Sequence, residues 1–106
     1  MQLHRLMKKS EKDYMSRVAA LGCVLCERLG TPGTPAEIHH PRMGVGMAMR
    51  ASNFDVIPLC PEHHRGNQGI HGMGRKAFER MYGLTESDLQ ERVQQLLKSE
   101  TADSAN

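Results

Sequence analysis

Between Glu37 and Gly74 the chain reads Glu37-Ile38-His39-His40-Pro41, then Ile57-Pro58-Leu59-Cys60-Pro61-Glu62-His63-His64, then Ile70-His71-Gly72, and these segments hold five of the six histidines. Neutral imidazole ligates metals and titrates near physiological pH, so such a gathering points to metal binding or proton transfer. Upstream, Cys23-Val24-Leu25-Cys26 is a cysteine pair at knuckle spacing. Joined to Cys60 and His63 it gives a set of three cysteines and one histidine built from two C-x-x-(C/H) knuckles, which closes a tetrahedral zinc shell with no open position. Such a site is structural.

His39, His40, His64 and His71 are then left over. Adjacent residues of a strand point to opposite faces, so His39 and His40 are expected to do different jobs. One would ligate a divalent cation with His64 and His71 while the other activates water. Phosphodiester hydrolysis uses that division: a cation offsets charge developing on the phosphate and leaving oxygen, and a base takes the proton of the nucleophile. Two alternatives stay open from the residues alone, a second wholly structural zinc site and a single site that recruits His64.

Positioning these groups takes few elements. Ser10 caps a predicted helix in which Tyr14, Val18 and Leu21 fall at helical spacing, and Gly22 stops it ahead of the Cys23–Cys26 turn. Gly30-Thr31-Pro32-Gly33-Thr34-Pro35 reads as a loop. Two short strands are expected, over 36–40 and 53–59, paired as a hairpin, with the glycine- and methionine-rich 42–50 segment as the loop between them. Pro61 suits the first position of a following helix. Gly66-Asn67-Gln68-Gly69 interrupts that helix before His71. Lys76–Met81 forms another, with Ala77, Phe78 and Met81 inward and Gly83 at its end. Thr85-Glu86-Ser87-Asp88 resembles a capping box with Asp at its last position, and Leu89, Val93, Leu96 and Leu97 give the closing helix an apolar stripe. The polar residues 99–106 read as a disordered tail and 1–9 as a basic arm, so the folded domain is expected over 10–98.

At 106 residues, 39% hydrophobic and without Trp, the chain fits one thin-cored domain that a metal staple would steady. The odd cysteine count and the knuckle spacing favour a reducing, cytoplasmic setting over a disulfide scaffold. No 18-residue apolar run or signal peptide is present, so neither a membrane span nor export is indicated. The net charge of +2 is mild. Its distribution says more: Arg42, Arg65 and Arg75 flank the histidine centre as candidate phosphate contacts, whereas the last segment is acidic.

Taken in order, Cys-x-x-Cys, Glu-Ile-His-His, Val-Ile-Pro-Leu-Cys-Pro-Glu-His-His-Arg-Gly, Gly-Ile-His-Gly and Lys-Ala-Phe-Glu-Arg-Met-Tyr-Gly resemble the HNH (ββα-metal) nucleases, specifically the phage Ref group of RecA-dependent nucleases, over residues 22–83. The resemblance implies a small α+β fold: a ββα-metal hairpin and helix, stapled by zinc and flanked by N- and C-terminal helices. It implies a DNA endonuclease in which His40 is the general base, polarised by a backbone carbonyl, and His39, His64 and His71 hold a catalytic Mg2+ or Mn2+. Cys23, Cys26, Cys60 and His63 take the structural zinc. The middle letter of the motif falls to Asn53 or to Asp55. The implied partners are DNA and a RecA-type filament in a bacterial host cell. Ref-type proteins carry a longer basic N-terminal segment than the short arm here, which leaves dependence on that filament open. A monomer or weak dimer is expected, because the last helix has a stripe that packs on the core or on a second copy. The competing reading from another class is a noncatalytic zinc-stapled module that binds DNA or a recombinase.

Overall fold

A computed structural model describes residues 8–41 and 52–105, with side chains described through residue 100. Its elements run α1 (Lys9–Ala20), α2 (Val24–Arg28), β1 (Glu37–His39), β2 (Ile57–Leu59), α3 (Pro61–Arg65), α4 (Ile70–Met73), α5 (Arg75–Tyr82) and α6 (Glu86–Ala105). This is a small α+β arrangement around one two-stranded antiparallel ribbon. The expected loop over 42–50, including Arg42, and residues 1–7 of the expected arm lie outside the described residues.

The ribbon pairs Glu37 with Leu59, Ile38 with Pro58 and His39 with Ile57. A two-stranded ribbon leaves each strand an edge, where a proline without an N–H is tolerated. Helices α1, α2, α3 and α6 all contact it. The core between them is Val18 from α1, Val24 and Leu25 from α2, Ile57 and Leu59 from β2, Phe78 from α5, and Leu89, Val93 and Leu97 from α6. Burial of each such side chain contributes about 1.5–3 kcal/mol. A bidentate pair, Arg92 Nε and Nη2 donating to Glu27 Oε1 and Oε2 at 3.1 and 2.7 Å, ties α6 to α2.

Several boundaries differ from expectation, each for a local reason. Helix α1 begins at Lys9, not after a Ser10 cap, because the Glu11 carboxylate reaches back to accept the Lys8 N–H at 3.2 Å. The second strand covers only Ile57–Leu59: Ser52 Oγ accepts the Phe54 N–H and Ser52 O accepts the Asp55 N–H, so Asn53–Asp55 turn instead of extending. Met81 is 52% exposed, since the inward face of α5 is taken by Phe78 and Tyr82 one turn apart. The tail expected from Ser99 is helical through Ala105. No Gly or Pro interrupts it, and a helix already nucleated extends at little further cost.

Other local expectations hold. Gly22 takes φ 82° and ends α1, with the Leu21 and Gly22 amides bonded back to the helix. The Thr85 box is reciprocal: the Thr85 N–H donates to Asp88 Oδ2 at 2.9 Å and the Asp88 N–H to Thr85 Oγ1 at 3.0 Å.

Candidate metal centres and active site

Among the described residues two groups of side chains gather ligand atoms within 4.8 Å of one another: Cys23, Cys26, Cys60 and His63, and separately His39, His64 and His71. The sorting follows from backbone period. On α3, consecutive side chains are about 100° apart. His63 therefore turns to the cysteines and His64 to the other histidines. At the end of β1 His39 is turned inward, 3% exposed, and His40, the first residue past the strand, is half-buried.

The first group is built from two short caps. Cys23 is the N-cap residue of α2, and its Sγ accepts the Cys26 N–H at 3.3 Å. Cys60 is the N-cap residue of α3, with Pro61 at the first helical position. His63 Nδ1 lies 3.7 Å from Cys23 Sγ, 3.5 Å from Cys26 Sγ and 3.3 Å from Cys60 Sγ. All three cysteines are free thiols and buried. Burial pushes the Cys23 thiol up to about 12 and pulls His63 below its usual range. Burial thus favours the neutral imidazole that a ligand must be, while Cys23 would give up a proton on metallation. Three soft sulfurs and one nitrogen in a tetrad fit zinc, and nothing in the set leaves a position for substrate.

The histidine group differs in every respect. Its rings stand 5.2 Å (His39–His64), 5.2 Å (His39–His71) and 4.8 Å (His64–His71) apart between centroids. It grades from buried His39 to exposed His71 and opens on a cleft of about 240 Å³ lined by His39, Ile70, His71, Gly74, Arg75 and Glu86. His64 Nδ1 lies 2.8 Å from Glu37 Oε1; a neutral ring that donates Nδ1–H to this carboxylate would present its Nε2 lone pair to a cation. Glu37 is itself clamped by Arg65, whose Nε and Nη2 donate to Oε2 at 3.0 and 2.7 Å. That guanidinium, with His64 second, holds the Glu37 carboxyl down to about 2. His39 Nε2 is 2.7 Å from Glu86 Oε2, while His39 Nδ1 is buried with no hydrogen-bond partner among the described residues. A buried lone pair without a donor beside two more imidazoles is what a metal-binding trio looks like before the ion is counted. The donor set fits a divalent ion with positions to spare.

His71 reaches this trio through a glycine-packed connection. A Cβ on Gly69 would stand 2.6 Å from the Glu62 carbonyl oxygen, and one on Gly72 would run into the Gly66 carbonyl oxygen. Only glycine lets α4 approach the end of α3 this closely. Tyr82 Oη donating to Gln68 O at 3.0 Å fastens the same connection to α5.

His40 Nε2 lies 2.8 Å from Asn53 Oδ1. That oxygen belongs to a side-chain amide. Asp55 is exposed and joins its turn through its backbone amide. Of the three arginines, Arg65 is committed to Glu37 with its side chain 66% exposed, Arg75 lines the cleft, and Arg42 lies outside the described residues. Two groups escaped the sequence reading. Glu37 lies in the Glu-Ile-His-His segment, where the spacing gives it no role of its own. Glu86 stands in the sequence only as an inner residue of the Thr85–Asp88 box, although it precedes Leu89, Val93 and Leu97 at i+3 and i+4 spacing and so belongs to the buried stripe.

A closed sulfur-rich tetrad beside an open imidazole trio backed by carboxylates defines a small α+β domain with two candidate metal centres. The sequence model of the family described as "Recombination enhancement, RecA-dependent nuclease" matches residues 8–98, and the chain belongs to that family. It is thereby placed among RecA-dependent nucleases of recombination enhancement. No curated protein matches the chain. Among the described residues no helix is long and apolar enough to cross a membrane.

Proposed function

We propose that the protein is a metal-dependent DNA endonuclease of the HNH type, with β1, β2 and α3 as its ββα-metal unit and 10–98 as its single domain. The observation that supports this best is the pairing of His40 Nε2 with Asn53 Oδ1 immediately after β1, whose last residue, His39, belongs to the imidazole trio. With Asn53 accepting from Nε2, the Nδ1 lone pair of His40 is left to take a proton from water, so His40 is the general base and Asn53 fixes its tautomer. His39, His64 and His71 hold the catalytic ion, which when bound offsets charge on the scissile phosphate and the leaving oxygen. Cys23, Cys26, Cys60 and His63 hold the structural zinc. Arg75, in the cleft wall, contacts the DNA backbone; Arg42 and Arg65 are assigned the same task, with Arg65 also bracing Glu37. Among the described residues no base-reading element accompanies them, and cleavage with little intrinsic sequence preference is expected. The protein works in phage-related recombination or DNA processing, in the bacterial cytoplasm, as a monomer or weak dimer.

Imidazole nitrogen suits Zn2+, Ni2+ and related ions better than Mg2+, which prefers oxygen ligands. The test is a nicking assay on supercoiled DNA, with and without a RecA filament, across Mg2+, Mn2+, Ni2+ and Zn2+. His40→Ala is expected to fold, retain zinc and lose about 10²–10⁴-fold in cleavage rate. Undiminished nicking by that variant removes the general-base assignment. A wild-type protein that binds the DNA–RecA filament but cleaves under no condition would instead make the chain a noncatalytic zinc-stapled binding module.

A further inference from the structure

We infer that Glu86 is a positioning residue of the histidine trio: from the first turn of α6 it fixes the proton of His39 on Nε2 and so directs the Nδ1 lone pair at the cation. The inference rests on the reading of that trio as a cation site. Both partners are buried, with side chains 3% exposed, and they meet at 2.7 Å across 47 residues of sequence. A buried carboxylate facing one imidazole nitrogen accepts only from an N–H, which leaves the other nitrogen deprotonated. That other nitrogen is the buried His39 Nδ1 that lacks a partner among the described residues.

Glu86 does not join the ligand atoms that gather within 4.8 Å, so it works through His39 and not on the ion itself. Its site is prepared on both sides. The N-terminus of α6 favours a negative charge in its first turn. Behind it, Leu89, Val93 and Leu97 are buried and the Arg92–Glu27 pair binds α6 to α2, so the carboxylate is carried on an anchored helix. Glu37 does the complementary work at His64, holding Nδ1 and freeing Nε2. The two carboxylates thus impose opposite tautomers on two rings that face one ion.

The experiment uses the full chain with its zinc content measured, comparing wild type, Glu86→Gln and Glu86→Ala. Cobalt(II) binding at the second site is followed by calorimetry, and the His39 tautomer by ring-nitrogen NMR of the cobalt-free protein. Loss of a carboxylate behind a ligand histidine weakens metal binding about 10–100-fold, so Glu86→Ala is expected in that range and Glu86→Gln, which still offers an acceptor oxygen, below it. Wild type is expected to carry the His39 proton on Nε2, with Glu86→Ala showing a mixture. Unchanged cobalt affinity in a folded, zinc-replete Glu86→Gln and Glu86→Ala pair overturns the inference, as does a wild-type His39 protonated on Nδ1. A wild type that shows the Nε2 proton yet binds no second ion overturns the cation reading of the trio and, with it, Glu86 as a metal-positioning group.

Discussion

The cysteine-rich tetrad and the histidine trio share helix α3, through adjacent His63 and His64, yet are built on opposite principles. The tetrad saturates itself: four donors, three of them buried thiols, surround one point and hydrogen-bond mainly among themselves and to the backbone of their own knuckles. The trio is unsaturated and externally supported. Its rings are held from behind by Glu86 and by Glu37 with Arg65, and one side opens to the cleft. A closed shell contributes folding energy, whereas an open one keeps positions for water and phosphate. Helical period is what allows two neighbouring residues to serve both ends.

The largest effect that would test this division is on the tetrad. Cys26→Ser removes a ligand from a closed shell worth about 10–16 kcal/mol of apparent zinc binding in small modules, more than a typical domain's stability of about 5–15 kcal/mol. The variant is expected to lose zinc and its cooperative melting transition, by elemental analysis and calorimetry. An unchanged melting curve would mean that the apolar core carries the fold and the tetrad is not a staple.

A smaller effect is expected at Gly72, which separates the trio from the tetrad. A methyl group there collides with the Gly66 carbonyl oxygen, a backbone atom that cannot rotate away. Gly72→Ala should push α4 and His71 outward, lowering second-site cobalt affinity at least about 10-fold on the scale of a lost supporting contact, while zinc stoichiometry stays at one. Equal loss at both sites would show that the two centres are mechanically one.

The tetrad is legible in the sequence because its knuckles are local: the members of each pair have two residues between them, and the first member is the N-cap of its own helix. The trio was legible as a set of spare histidines, and strand alternation separated His39 from His40. What supports the trio was not. Glu86 meets His39 only because α6 packs across β2, and no short-range pattern encodes that contact. Its one signal was a carboxylate in register with Leu89 and Val93. Asn53 falls in a stretch whose apolar Phe54, Val56, Ile57 and Leu59 read as a strand, and that pattern conceals the Ser52 side chain, which turns the chain there in competition with extension.

The smallest effect concerns Glu37, and it separates electrostatic support of the trio from its ligation. Arg65 and then His64 hold this carboxyl down to about 2, below its ordinary value of 4.5. A carboxyl whose folded value is depressed contributes stability above the unfolded value, and that contribution disappears as pH falls from about 4.5 towards 2. Glu37→Gln should therefore lie below wild type in urea midpoint at pH 6 and converge with it as the pH is lowered through that window. The pair is largely solvent-facing, so the gap at pH 6 is expected to be small. Second-site cobalt affinity at pH 6 should fall further than the stability does, because the amide introduced by Glu37→Gln offers His64 no charged acceptor and the Nδ1 proton is held less firmly. A stability gap that persists unchanged to pH 2, or cobalt affinity that ignores the substitution, would leave Glu37 as a surface partner of Arg65 and assign the ordering of the trio to Glu86 alone.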